Sequence, residues 1–309
     1  MLNKLIVIVG PTASGKTDLS IKLAEKFNGE IVSADSRQVY KGMDIGTGKV
    51  TKKEMKGVPH HLLDVVPPGR ERFTVVQYQK LALKAIKKIH KKGLPSHPAK
   101  RGGDGKIPFL VGGTGFYIQA VVNGIVIPEV KPDWKLRKKL EKKSIQELFK
   151  MLKKLDARRA KTIESKNKRR LMRALEIVIK TKKPVPLLKK KPPQFELLII
   201  GIKKSPDELR ELIRKRLLKR LNIGIIAEIK KLKKSGLSWK RLEEFGLEYK
   251  YIAQYLQKKI TYDEMAEKIQ KESEHYAKRQ MTWFKRDKRI KWIKNYKDTK
   301  KLVKKFILC

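Results

Sequence analysis

Residues Gly10–Thr17 read GPTASGKT and match GxxxxGK(S/T) at every fixed position. An apolar run, Leu5 to Val9, leads into them and a segment rich in helix formers follows, which is the setting a phosphate-binding loop requires. In that setting Gly10, Pro11, Thr12, Ala13, Ser14, Gly15, Lys16 and Thr17 wrap an anion. Backbone N–H groups and the start of the following helix converge on it, Lys16 adds a point charge, and the Thr17 hydroxyl is placed for a Mg²⁺ ion. The motif specifies a phosphate chain but not the molecule that carries it.

Three further segments bear chemistry. ADSRQVYKGMDIGTGK, residues 34–49, follows a second strand-like run, Glu30 to Ala34. Ligands of open α/β sheets sit beyond the carboxyl ends of the strands, so Asp35 should face the same crevice as Lys16, as a general base or a magnesium ligand. LVGGTGFY, residues 110–117, is another strand running into a glycine-rich turn, with Thr114 and Tyr117 at its mouth. HYAKRQMTWFKR, residues 275–286, mixes cations with aromatics, a composition suited to nucleic-acid backbone contact and base stacking. Within it Met281, Trp283 and Phe284 read as core packing, and Lys278, Arg279 and Gln280 as contacts. His60 and His61 lack a companion cluster of ligands and read as structural.

The elements that position these groups alternate strand and helix. Strands are expected at Leu5 to Val9, Glu30 to Ala34 and Ile107 to Val111, with helices from Lys16 to Phe27 and Val75 to His90. This is the pattern of a parallel, doubly wound sheet. The Pro- and Gly-rich text from Gly93 to Lys106 reads as a mobile surface loop. From about Lys131 to Lys191 helix formers and cations dominate, and at Phe195 to Ile202 a core strand returns, so a helical block interrupts the sheet domain. Ser205 with Glu208, and Thr261 with Glu264, are capping-box signatures for two later helices, the second running to about Phe284. The fold expected is α/β: a parallel sheet flanked by helices, of the P-loop NTPase type, spanning 1–130 and 190–309, with a smaller all-helical basic insertion over 131–189.

Composition narrows the partner. The 77 Lys and Arg against 31 Asp and Glu give a net charge of +46, which favours a polyanion because each phosphate neutralised releases counterions. Lysine-rich solvated faces account for part of that excess. No stretch approaches the roughly 18 consecutive apolar residues of a membrane span, and a soluble cytoplasmic protein is expected. The single cysteine, Cys309, excludes an internal disulfide framework and a cysteine-rich zinc site.

In order and spacing, GPTASGKT, ADSRQVYKGMDIGTGK, VPHHLLDVVPP, LVGGTGFY, RRLMRALEI and AKRQMTWFKR resemble the tRNA dimethylallyltransferases, also called tRNA isopentenyltransferases, over nearly the whole chain. The resemblance implies transfer of a dimethylallyl group from dimethylallyl diphosphate to the exocyclic amine (N6) of adenosine 37, 3′ to the tRNA anticodon. The phosphates would then be the donor's diphosphate, and an ATP-binding reading of the loop would be misleading. It also implies that Asp35 is the catalytic base, that Thr12 and Arg216 act on the departing diphosphate, and that Mg²⁺ at Thr17 assists. RNA contacts implied are Asp35, Ser36, Arg37, Gln38, Thr114, Tyr117 and Arg137, then Arg169, Arg170 and Arg173 of the insertion. Gly246 to Tyr251 and Lys278 to Lys285 match two more RNA-binding segments. The insertion would grip the anticodon stem-loop, and a monomer is expected. The arginine that the family usually places four residues before Arg216 is Leu212 here. Two other readings remain open on sequence: a small-molecule P-loop kinase with Arg169 to Arg173 in its lid, and a non-catalytic RNA-binding protein on an NTPase scaffold.

Overall fold

The computed structural model describes residues 3–69, 72–93, 105–128, 130–293 and 295–308. Most of the loop from Gly93 to Lys106 and the terminal Cys309 lie outside them. The chain forms two compact units, residues 1–124 with 192–309, and residues 125–191.

The first unit begins with β1 (Asn3–Val9), α1 (Lys16–Lys26), β2 (Gly29–Ser33), α2 (Lys52–Met55), β3 (His60–His61), α3 (Val75–His90), β4 (Ile107–Gly112) and α4 (Gly115–Val122). The second unit holds β5 (Ile125–Val126), α5 (Trp134–Glu141), α6 (Ile145–Leu155), α7 (Ala157–Thr162), α8 (Lys168–Thr181) and β6 (Lys189–Lys190). The chain then returns with β7 (Phe195–Ile202), α9 (Pro206–Asn222), α10 (Ile225–Lys234), α11 (Trp239–Glu244), α12 (Leu247–Leu256), α13 (Tyr262–Phe284), β8 (Ile290–Ile293) and α14 (Tyr296–Leu308).

Six strands pair in the order β3-β2-β4-β1-β7-β8, every pair parallel. Alternation along β1 explains why both faces need helices. Leu5, Val7 and Val9 pack on one side with α3 and α4, whereas Ile6 and Ile8 pack on the other with α1 and α14. A strand buried on both faces reads as a continuous apolar run, as LIVIV does. Each such fully buried Ile or Leu stabilises the fold by about 1.5–3 kcal/mol. A third cluster, gathered from Val39, Met43 and helices α9 to α13, supports the loop after β2.

The expected strands and long helices form, with boundaries shifted by a residue or two. Thr261 and Glu264 make the full capping box ahead of α13. Ser205 caps α9 through Glu208 N–H, but the Glu208 carboxylate pairs with Lys204 at 2.5 Å, so only half of that box is made. Sequence patterning missed β3, too short for any period, and β8, whose IKWI is flanked by cations. It also missed the antiparallel pairing of β5 with β6, which closes the otherwise helical second unit across its two ends. Inside that unit Leu148, Leu152, Leu171 and Leu175 form a core of their own. Among the described residues no helix is long and apolar enough to cross a membrane.

Candidate active site

The phosphate loop leaves β1 through Gly10 and enters α1 through Gly15, both with positive φ (157° and 84°). At Gly15 nothing crowds a Cβ, so the left-handed backbone is what requires glycine there. Ala13 adopts φ 61°, a conformation L-residues avoid and one that concentrates at functional sites. No side chain caps the start of α1, so its first-turn N–H groups stay open to an anion. The Ser14 hydroxyl is buried inside the loop with no hydrogen-bond partner among the described residues, a polar atom that a bound oxyanion would satisfy.

Lys16 lies across the loop, its Nζ donating to Pro11 O at 2.5 Å. Burial lowers its pKa most, Arg216 lowers it further, and Asp35 offsets part of this, leaving it at about 7. Arg216, on α9, is brought down to about 10, mainly by burial and then by Arg220, against the opposing pull of Glu248 and Asp35. Two cations thus face one another without a carboxylate ion pair among the described residues, an arrangement that an incoming polyanion relieves.

Asp35 follows β2. Its Oδ1 accepts from the N–H groups of Arg37 (2.7 Å) and Gln38 (3.3 Å), which fixes the carboxylate, while no hydrogen bond among the described residues engages Oδ2. Asp35, Gln38, the loop from Thr12 to Thr17, Arg216 and Tyr276 line one cavity of about 480 Å³. Leu212 lines the same cavity, so α9 presents an apolar side chain one turn before Arg216 and a second arginine, Arg220, one turn after it. Arg220 is buried and paired with Glu248, so its charge is already matched.

The glycine-rich turn after β4 is shaped by close approach. A Cβ at Gly112 would collide with Ala34 O, one at Gly113 with Gln280, and one at Gly115 with Trp283. Thr114 Oγ1 accepts from Ser36 N–H at 3.1 Å and Thr114 N–H donates to Ala34 O at 3.2 Å, tying this turn to the Asp35 loop. Glu228 of α10 pins the far side of that loop, accepting from the N–H groups of Asp44, Ile45 and Gly46 at 2.8, 2.6 and 3.1 Å.

Several residues grouped with the RNA contacts take structural roles instead. Gln280 is 6 % exposed: its Oε1 accepts from Thr12 N–H at 2.7 Å and its Nε2 donates to Gly113 O at 2.9 Å. The same bond occupies the Thr12 backbone donor that the sequence reading gave to the diphosphate. Tyr117 is buried and stacks on Tyr78 at 3.9 Å between centroids, and burial drives its pKa far above the usual tyrosine range. In the segment from Gly246 to Tyr251, Glu248 and Tyr249 are buried, Tyr249 Oη donating to Glu228 at 2.7 Å. Phe284 joins the core and Trp283 packs against it, in line with the core-packing reading of these two side chains. Arg37 stays half-buried, 5.8 Å from the centre of the Phe245 ring, whereas Lys278 and Arg279 are exposed.

In the second unit Arg137 holds the fully buried Glu176 by two bonds, 2.8 Å from Nε and 2.7 Å from Nη2. Arg173 pairs with the same carboxylate and donates to Val130 O at 2.9 Å. Burial pushes the Glu176 pKa up, but Arg137, the Asp133 N–H and Arg173 together outweigh it and hold it below the usual range. Arg169 is exposed, and Arg170 shares an exposed pair with Glu164 at 3.0 Å.

His61 Nε2 pairs with the buried Glu30 at 2.8 Å and His60 Nδ1 with Val58 O at 2.8 Å. Burial lowers the His60 pKa below the usual imidazole value, outweighing the Val58 bond that opposes it. No group of three or more His, Cys, Asp or Glu among the described residues is arranged to hold a metal. A Mg²⁺ carried by phosphate oxygens needs only one or two protein ligands, and the exposed Thr17 hydroxyl fits that lesser demand. Tyr276 and Glu228 escaped the sequence reading: Tyr276 sits four residues before Gln280, one helical turn, and that spacing was the available signal.

Residues 38–287 match the family model described as IPP transferase. The chain is 42% identical to the tRNA dimethylallyltransferase of Carboxydothermus hydrogenoformans, over 99% of this chain and 97% of that protein. It is 39% identical to the enzyme of the same name from Acetivibrio thermocellus, over 94% and 92%. Among solved structures it is similar to a tRNA isopentenylpyrophosphate transferase from Bacillus halodurans, with TM-score 0.70, 36% identity, and 99% and 96% coverage. It is also similar to a eukaryotic dimethylallyltransferase caught acting on tRNA, with TM-score 0.74, 31% identity, and 91% and 69% coverage.

Proposed function

The chain belongs to the tRNA dimethylallyltransferase family, and from that premise we propose that it prenylates tRNA, moving a dimethylallyl group from dimethylallyl diphosphate to N6 of adenosine 37. One observation carries the reading: a carboxylate fixed through one oxygen and two cations without carboxylate partners line the same cavity as a phosphate loop. The relatives' names favour neither a small-molecule kinase nor a non-catalytic RNA binder.

The amine lone pair of adenine is delocalised into the ring, so the nucleophile is weak until its proton has somewhere to go. Asp35 Oδ2 receives that proton as the new N–C bond forms. The C1–O bond of the donor breaks as this happens, and its electron pair stays on the bridging oxygen of the leaving diphosphate. Lys16, Arg216 and the open N–H groups at the start of α1 stabilise the charge that collects there. Thr17 would hold a Mg²⁺ brought by the diphosphate, an ion that supplies further charge neutralisation. Adenosine 37 must leave its stack to reach the cavity; Ser36, Arg37 and Thr114, beside Asp35, would receive it, and Lys278 and Arg279 would contact phosphates outside.

The test is to incubate the purified protein with unmodified tRNA, Mg²⁺ and radiolabelled dimethylallyl diphosphate, and in parallel with labelled ATP. The prenyl label should enter RNA and appear on adenosine after digestion. Label from ATP moving instead, or RNA bound with no transfer, would overturn the proposal.

A further inference from the structure

Helix α13 carries Tyr276, Gln280 and Trp283 at spacing i, i+4, i+7, which places them on one stripe. All three face the crevice or the turn beside it. Tyr276 lines the cavity together with Asp35. Gln280 joins Thr12 N–H of the phosphate loop to Gly113 O of the β4–α4 turn. Trp283 lies against Gly115, with its Nε1 buried and without a hydrogen-bond partner among the described residues. Lys278 and Arg279 fall between these positions in sequence and are exposed. One helix therefore presents cations outward and, inward, ties the phosphate loop to the turn after β4.

The Thr12 N–H cannot serve Gln280 and a phosphate oxygen at full strength together. A displacement of α13 that loosens the Gln280 bond frees that donor. We propose that Gln280 is a positioning residue that couples occupation of the RNA surface on α13 to the diphosphate cradle, so that RNA at Lys278 and Arg279 strengthens donor binding. By linkage the donor strengthens RNA binding by the same factor. This rests on the prenyl-transfer reading of the cavity.

The test uses the full chain, the non-reactive donor dimethylallyl thiolodiphosphate, and an anticodon stem-loop RNA with adenosine at the target position. Calorimetry gives the analogue's affinity with and without saturating RNA. The wild type should gain about fivefold or more on adding RNA. Gln280→Met, similar in length but without either hydrogen bond, should bring that ratio to about one while RNA alone still binds within twofold of wild type. Circular dichroism checks that the variant folds. If it does not, Gln280→Glu, which keeps the acceptor for Thr12 and loses the donor to Gly113, should show a ratio changed from wild type. Equal ratios in wild type and in the folded variant, or a wild-type ratio of one, overturn the coupling alone. Failure of the wild type to bind the analogue at all overturns the diphosphate reading, and the coupling with it.

Discussion

Lys16 and Arg216 in the crevice, and Arg137 and Arg173 in the helical unit, are all cations beside packed protein, yet they are held in opposite states. The first pair have their pKa values driven down to about 7 and about 10, with no ion-pair partner among the described residues. The second pair close on Glu176, whose carboxylate accepts from both and from the Asp133 N–H. A buried cation left unmatched is unfavourable unless a ligand anion arrives. A matched one builds structure and is no longer available to a ligand. The difference separates binding residues from scaffolding residues where sequence alone shows only arginines and lysines.

The largest effect is expected at the carboxylate that faces the unmatched cations. Asp35→Ala should lower single-turnover transfer by about 10²–10⁴-fold with RNA affinity near wild type, because a base acts mainly in the transition state. Strong loss of RNA binding with intact chemistry would remove Asp35 from that role.

A smaller effect, with a pH signature, is expected at Lys16. Lys16→Ala should weaken thiolodiphosphate binding by about 10- to 100-fold, the size of a charge-assisted hydrogen bond. The free lysine titrates at about 7 and an anion beside it raises that value, so binding above pH 7 takes up a proton and affinity falls as pH rises further. Calorimetry in buffers of different ionisation enthalpy reads this uptake, which the alanine variant should lack. Equal uptake in both proteins would assign the proton elsewhere.

The smallest effects sharpen the contrast inside the helical unit. Arg169→Ala, at an exposed site, should weaken RNA binding only a few-fold and reduce the slope of log affinity against log salt by about one. Arg137→Ala should instead destabilise the folded protein by about 1–3 kcal/mol, seen in urea denaturation, since it strips two hydrogen bonds from buried Glu176. Were both variants to change the salt slope alike with stability untouched, the scaffolding role of Arg137 would be lost.

The site was legible in the sequence where spacing is short and local. GPTASGKT and the caps of α9 and α13 are decided by neighbours a few residues away, so glycine, hydroxyl and carboxylate positions reveal them. Gln280 and Tyr117 were misplaced because exposure is a tertiary property. A glutamine between cations and a tyrosine at a turn's mouth look accessible until a loop or a ring from a distant segment closes over them. Glu228 gave no signal, since the three backbone N–H groups it holds lie more than 180 residues away in the chain.

The sequence by itself determined the parallel α/β core and the anion cradle, because unbroken apolar runs must be buried on both faces and the glycines admit only one kind of loop. Only the tertiary structure decided which cations remain unmatched and which are consumed in pairs. Charge compensation depends on distance in space, and the carboxylates that settle it sit on other elements of the fold.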